Sequence, residues 1–172
     1  MSSINFESIT LERIVDRENL NKAYKKGIRN KGSVGVDDME TFELADYIKE
    51  HPYEISSAIL NGTYRPKPIK RVYIPKDNGE QRPLGIPTVI DRLVQQAVAL
   101  VLSEEYEKVF SDNGFGFRPE RSCKSAITRA LEYVNSVLEW VIDLDLSKFF
   151  DTVNHSKLLQ LLSARIKDGV DN

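Results

Sequence analysis

The 172-residue chain has a single cysteine, Cys123, and so cannot close a disulfide within itself. One lone thiol suits a reducing, cytoplasmic setting. No apolar run is long enough to span a membrane and no signal-peptide pattern follows Met1, so neither a membrane partner nor export is expected. Histidine is scarce. Of the two histidines, His155 has no neighbour at metal-ligand spacing, which leaves capping or packing as its expected role. A cationic excess is missing as well: the net charge of −2 argues against a chain that coats nucleic acid by charge alone. Compositional bias is absent too. With 41% hydrophobic residues the chain can form one cored domain or two small subdomains, and disorder throughout is not expected.

What is present is most pointed at Trp140 to Asp151. Val141, Asp143 and Asp145 alternate with Trp140, Ile142, Leu144 and Leu146, a period of two that predicts a strand with one apolar face. The other face carries two carboxylates with Cα atoms about 6–7 Å apart, and no cation between them. Two readings fit: a solvated edge face, or a site for a hard divalent cation such as Mg²⁺. The aromatic pair Phe149 and Phe150, directly after the acidic strand, suits a pocket floor.

Charge is also distributed unevenly. From Arg65 to Arg82 there are six cations (Arg65, Lys67, Lys70, Arg71, Lys76, Arg82) against two acids, Asp77 and Glu80. Ile69–Pro75 and Gln81–Ile86 read as two strands joined through Asp77-Asn78-Gly79, a strong hairpin signal. Lys76 and Arg82 flank that turn. A lysine and an arginine converging from paired strands can grip a triphosphate, one as a point charge and one as a fork. The same charges can instead protect an exposed sheet edge from aggregation.

Elsewhere the pattern is helical. Residues 4–28 predict helix with a break near Asp16–Asn19, ending in the cations Lys22, Lys25, Lys26, Arg29 and Lys31. These cations suit a helix C-terminus and suit nucleic acid equally. Residues 41–60 predict two short packing helices divided at Pro52 and stopped by Asn61-Gly62. Thr88–Phe110 predicts one long helix with its core stripe on Ile90, Leu93, Val94, Ala97, Val98, Val101 and Leu102. A loop of glycine and aromatics, Gly114 to Pro119, follows. Ser122 then caps an amphipathic helix, and Asn154 or Ser156 a last one.

Taken in order, these motifs resemble a group II intron reverse transcriptase. The carriers are Tyr73-Ile74-Pro75-Lys76, Gly79, Arg82-Pro83-Leu84-Gly85-Ile86-Pro87, Gly116-Phe117-Arg118-Pro119 and Asp145-Leu146-Ser147-Lys148-Phe149-Phe150-Asp151. The resemblance runs from about Gly32 to Leu162. It implies an α+β fold: right-hand polymerase fingers, made of helices and an antiparallel β-hairpin, with the first part of the palm. It implies that Asp145 ligates catalytic Mg²⁺ and that Phe150 sits under the incoming sugar. Lys76 and Arg82 would contact the dNTP triphosphate, with Ile86 and Pro87 along the templating base. Phe117, Arg118 and Pro119 would lie beside the nucleotide pocket, Phe115 standing where tyrosine is frequent. Asp91, Arg92 and Gln95 also match, as fold-supporting or template-flanking residues. Asp143 is not a catalytic position of the family.

The expected organisation is an N-terminal extension over 1–36, fingers over 37–122 and a partial palm over 123–172. The Tyr-Ala-Asp-Asp type of motif that supplies the remaining carboxylates does not occur in these residues. Two-metal phosphoryl transfer needs both ions clamped. The expectation is therefore a fragment of an RNA-directed DNA polymerase that binds RNA template, primer, dNTP and intron RNA but is inactive alone, and that self-associates through exposed palm surface. One competing reading is a non-catalytic intron-RNA-binding module built on the N-terminal cations and the hairpin. Another is a metal-dependent nuclease on Asp143, Asp145 and Asp151, although no general base is evident for it.

Overall fold

The computed structural model describes residues 6, 8–29, 32–75, 77, 79–136, 138, 140–146 and 148–166. The fold is α+β, with eight helices and one two-stranded antiparallel sheet among those residues. Two compact units divide the chain: Ser8–Leu102 forms one, while Met1–Glu7 with Ser103–Asn172 forms the other.

The first unit opens with α1 (Leu11–Val15) and α2 (Arg17–Arg29). The predicted break falls at Asp16, whose carboxylate accepts hydrogen bonds from the backbone N–H groups of Glu18 (2.8 Å) and Asn19 (3.3 Å). Those N–H groups have no partner within a helix that starts there, so the aspartate ends one helix and caps the next. The amide of Asn19 donates to the carbonyls of Ile14 (2.8 Å) and Ala97 (3.1 Å), tying this corner to the long helix. Two short helices follow, α3 (Leu44–Glu50) and α4 (Glu54–Leu60). The hairpin consists of β1 (Lys70–Pro75) and β2 (Gln81–Ile86), and α5 runs over Val89–Tyr106. Val89, Leu93, Ala97 and Val101, spaced by four, are the buried stripe of α5, and with Ile9, Ile14, Val15, Ala23 and Leu44 they make this unit's core.

The second unit holds α6 (Cys123–Asn135), the single turn α7 (Phe149–Thr152) and α8 (His155–Ser163). The Ser122 hydroxyl accepts from Ser125 N–H (3.1 Å) while the Ser125 hydroxyl accepts from Ser122 N–H (2.8 Å), a reciprocal capping box. Asn154 caps α8 by accepting from Lys157 N–H at 2.9 Å. Phe6 is buried, its ring 4.8 Å from that of Tyr106 and its N–H bonded to the carbonyl of Arg165 at 2.9 Å. The apolar residues of α6 and α8 are largely uncovered: Ile127, Leu131, Val134, Leu158, Leu159 and Leu161 are all exposed.

Two expectations are corrected. Trp140–Leu146 does not form a strand: these residues have no regular secondary structure, and Trp140, Ile142 and Leu144 are 92%, 84% and 87% exposed. A strand is held by its ladder, and the described residues offer this segment no partner. The long helix ends at Tyr106, not Phe110: beyond it the N–H groups of Lys108 and Val109 bond three residues back, to the carbonyls of Glu105 (3.3 Å) and Tyr106 (3.0 Å), so the last turn tightens out of α-helical geometry. No helix among the described residues is long and apolar enough to cross a membrane.

Candidate nucleic-acid interface

Strand pairing sets the geometry of the hairpin. Lys70 lies opposite Ile86, Val72 opposite Leu84 and Ile74 opposite Arg82, so these six residues share one face of the ribbon. Arg71, Tyr73 and Pro75 share the other face with Gly85, Pro83 and Gln81. Arg82 and Ile86 are therefore on the same side, four residues and about 13 Å apart along β2. Pro87 follows at the strand exit, half-buried like Ile86, whereas Arg82 is exposed. Lys76 lies outside the described residues.

Three of the five described cations of this segment are engaged. Arg65 donates to the carbonyls of Gly62 (2.9 Å) and Tyr64 (2.8 Å), Lys67 pairs with Asp37 (3.1 Å) and Lys70 with Asp38 (3.2 Å). Arg71 and Arg82 have no partner among the described residues, and the register places them on opposite faces. Arg82 is thus an exposed fork donor free to meet an anion.

Both feet of the hairpin are pinned to one carboxylate. Asp91, 4% exposed, stands in the first turn of α5. Its Oδ1 accepts from the Tyr64 hydroxyl (2.5 Å), and its Oδ2 accepts from the Thr88 hydroxyl (2.6 Å) and the Lys67 N–H (3.2 Å). Its own N–H donates to the Thr88 hydroxyl at 3.1 Å. Lys67 comes just before β1 and Thr88 just after β2, so Asp91 fixes where the ribbon enters and leaves. Burial, and then the hydrogen bond to Asp91, push the Tyr64 hydroxyl well above its ordinary pKa. Gly35 completes the base: a Cβ there would stand 2.7 Å from Thr88 Cα and 2.9 Å from Thr88 N, so only glycine allows this approach. The sequence marked Asp91 as fold-supporting or template-flanking without naming its contacts, because partners 24 and 27 positions away carry no local signature.

In the second unit the Gly-Phe-Arg-Pro loop is organised by its arginine. Arg118 forks onto Glu107 (Nε to Oε2 3.0 Å, Nη2 to Oε1 2.7 Å) and donates to the carbonyls of Gly114 (2.8 Å) and Ser111. Its guanidinium also lies 5.3 Å from the centre of the Phe110 ring. Hydrogen bonds from Arg118 hold the Glu107 carboxyl below its usual range. Arg118 is therefore committed to holding the loop, while Phe117, at φ 56°, is fully exposed and Pro119 is exposed.

Asp143, Asp145 and Asp151 are all exposed. Phe150 is exposed in α7, its ring 5.4 Å from that of Phe149 in an edge-on arrangement. No group of three His, Cys, Asp or Glu among the described residues could hold a metal ion. Asp145 with its neighbours does not by itself make a Mg²⁺ centre. The candidate residues thus fall into two sets: Arg82, Ile86 and Pro87 in the first unit, and Asp145, Phe150 and Phe117 to Pro119 in the second.

Comparison with known proteins agrees with the order of the motifs. Residues 74–169 match the family described as reverse transcriptase (RNA-dependent DNA polymerase). The chain is 38% identical to protein YkfC of Escherichia coli over 165 residues, covering 92% of this chain and 43% of that protein. It is 37% identical over 148 residues to the group II intron-encoded protein LtrA of Lactococcus lactis, covering 85% of the chain and 24% of LtrA. A putative COX1/OXI3 intron 2 protein of Saccharomyces cerevisiae is 34% identical over 144 residues, covering 84% and 16%. The chain spans less than half the length of each of these relatives.

Proposed function

Because the chain belongs to the reverse transcriptase (RNA-dependent DNA polymerase) family, of the group II intron-encoded kind, we propose that its 172 residues supply the nucleotide- and template-contacting fingers of an RNA-directed DNA polymerase that also acts as a maturase. In this reading residues 1–36 are an N-terminal extension, 37–122 the fingers and 123–172 the first part of the palm. The observation that carries it is the ribbon: an exposed, unpaired Arg82 on the same face as Ile86, with both feet of the hairpin locked to Asp91. A pinned base under an exposed Arg82 with no partner among the described residues suits a clamp that holds a triphosphate in register with a templating base.

Lys76 and Arg82 take the dNTP phosphates, and Ile86 and Pro87 lie along the template. Phe150 faces the sugar. Phe117 lies beside the pocket on the loop that Arg118 and Pro119 shape. Asp145 is one Mg²⁺ ligand of a set the 172 residues do not complete, so by themselves they incorporate no nucleotide. Template-primed incorporation by this chain would overturn that part. The experiment that tests the clamp is photo-crosslinking of an azido-dNTP in the presence of an RNA template–primer. Adducts are expected on peptides spanning Lys70–Pro87, and adducts confined to other regions would refute it.

A second reading, an intron-RNA-binding module, is favoured by Lys25, Lys26 and Arg29 on α2, which have no acidic partner among the described residues. The module would use these cations together with the hairpin, and the two readings are compatible, since one surface can serve both.

A further inference from the structure

The hairpin has a back face that the clamp does not use. The half-buried positions of the ribbon, Lys70, Val72 and Ile86, all lie on the face of Arg82. On the back, Arg71, Tyr73 and Pro75 with Gln81, Pro83 and Gly85 are all exposed. A two-stranded ribbon is marginally stable by itself, and a face left wholly in water is the one open to a partner. Tyr73 is 58% exposed, and neither its ring nor its hydroxyl has a partner among the described residues. Arg71 is exposed and equally unpaired there, and none of the six residues is Asp or Glu. Gly85 lies opposite Arg71 and the compact Pro83 opposite Tyr73, so the guanidinium and the ring stand over low neighbours. Ile69 extends the apolar floor: a Cβ on Gly85 would stand 2.7 Å from its Cγ2, so only glycine leaves it that place.

We propose that this back face holds an unpaired RNA strand, with a base stacked on Tyr73 and an adjoining phosphate on Arg71. The two side chains point the same way from positions two apart, about 6–7 Å along β1, a span that one nucleotide covers. An aromatic ring standing on a sheet face is a platform for any base, and an arginine fork matches phosphate oxygens. RNA brings a π face and an anion together in every unit, and those are the two things this face leaves unpaired. A protein strand added along the ribbon fits less well. Pro75 in β1 and Pro83 in β2 have no N–H, so neither strand offers an unbroken row of backbone donors. The proposal deepens the intron-RNA-binding reading and rests on it, but it uses none of the residues assigned to the dNTP or to the template.

The test uses the full chain with a fluorescent ten-nucleotide single-stranded RNA, the same sequence as a duplex, and a single strand carrying 5-iodouridine for photo-crosslinking. Tyr73→Leu keeps apolar bulk on the strand and removes the ring, while Arg71→Gln removes the fork. Tyr73→Leu is expected to weaken single-strand binding about fivefold or more. Arg71→Gln is expected to weaken it as well and to make the log–log salt slope shallower by about 1. Lys76→Ala/Arg82→Ala should leave it within about threefold. In the wild-type chain, where no variant has to fold, the iodouridine adduct is expected on Tyr73, and the duplex should bind more weakly than the single strand. RNA affinity within twofold of wild type in both variants would overturn the proposal, as would adducts that avoid β1 or a duplex bound as tightly as the single strand. Unchanged RNA affinity with self-association lost in light scattering would also overturn it, and would assign the face to contact between copies of the chain. A wild-type chain that binds no RNA at low salt would overturn the RNA-binding reading itself, an outcome distinct from RNA binding that ignores Arg71 and Tyr73.

Discussion

Tyr64→Phe is the most informative single perturbation of the hairpin base. The ring is retained and one hydroxyl is lost, together with its 2.5 Å bond to Asp91 Oδ1. A hydrogen bond to a charged acceptor contributes about 1.5–3 kcal/mol, and Asp91 keeps its bonds from Thr88 and Lys67, so the loss should lie in that range. With a urea dependence of about 2 kcal/mol/M this moves the unfolding midpoint by roughly 1 M. The pH dependence adds a sharper signature. Burial and the bond to Asp91 raise the folded pKa of Tyr64, so the unfolded chain ionises first as pH rises. The hydroxyl's contribution is fully present below its ordinary pKa of about 10 and is lost as pH rises beyond it. Phenylalanine has no such proton. The gap between wild type and variant should be constant from pH 7 to about 9.5 and then shrink. Urea titrations across that range measure it. Equal stability at pH 7, or a gap that persists undiminished at high pH, would refute the reasoning.

Other outcomes follow from named contacts. Gly35→Ala places a Cβ against the Thr88 backbone and should cost about 1–3 kcal/mol in thermal unfolding, as overpacking does, while the exposed Gly116→Ala costs less. The Glu107 carboxyl is held low by Arg118, so the stability of that pair is present at neutral pH and lost as pH falls through the folded pKa. Glu107→Gln should lower the midpoint at pH 7 and flatten the acid limb in a circular-dichroism melt series. The uncovered apolar residues of α6, α8 and Trp140–Leu146 should drive self-association, visible as a concentration-dependent mass in light scattering. A monomer at every concentration would contradict that.

The sequence was most legible where the physics is local. Asp16, Ser122 and Asn154 cap the helices that follow them, because a cap and its N–H partners lie within three residues. The Asp-Asn-Gly turn predicted the hairpin for the same reason, with β1 starting one residue later than expected. Legibility failed where a residue depends on distant partners. The alternation over Trp140–Leu146 is a strand pattern, but a pattern cannot supply a neighbouring strand. Arg118 reads as a motif residue, but its bonds to Glu107 and two carbonyls, which organise the loop, are not written in the motif. The role of Asp91 emerges only when the chain brings Tyr64, Lys67 and Thr88 together.

The most direct test of the central claim, a rigid hairpin whose cationic tip serves nucleotide, is a salt series of RNA and dNTP binding to wild type and to Lys76→Ala/Arg82→Ala. The account predicts RNA binding that falls steeply with salt, with a log–log slope that changes by less than about 1 in the double variant. It predicts at the same time a dNTP affinity at least tenfold weaker. RNA binding abolished with the pair, or dNTP affinity unchanged without it, would contradict the account.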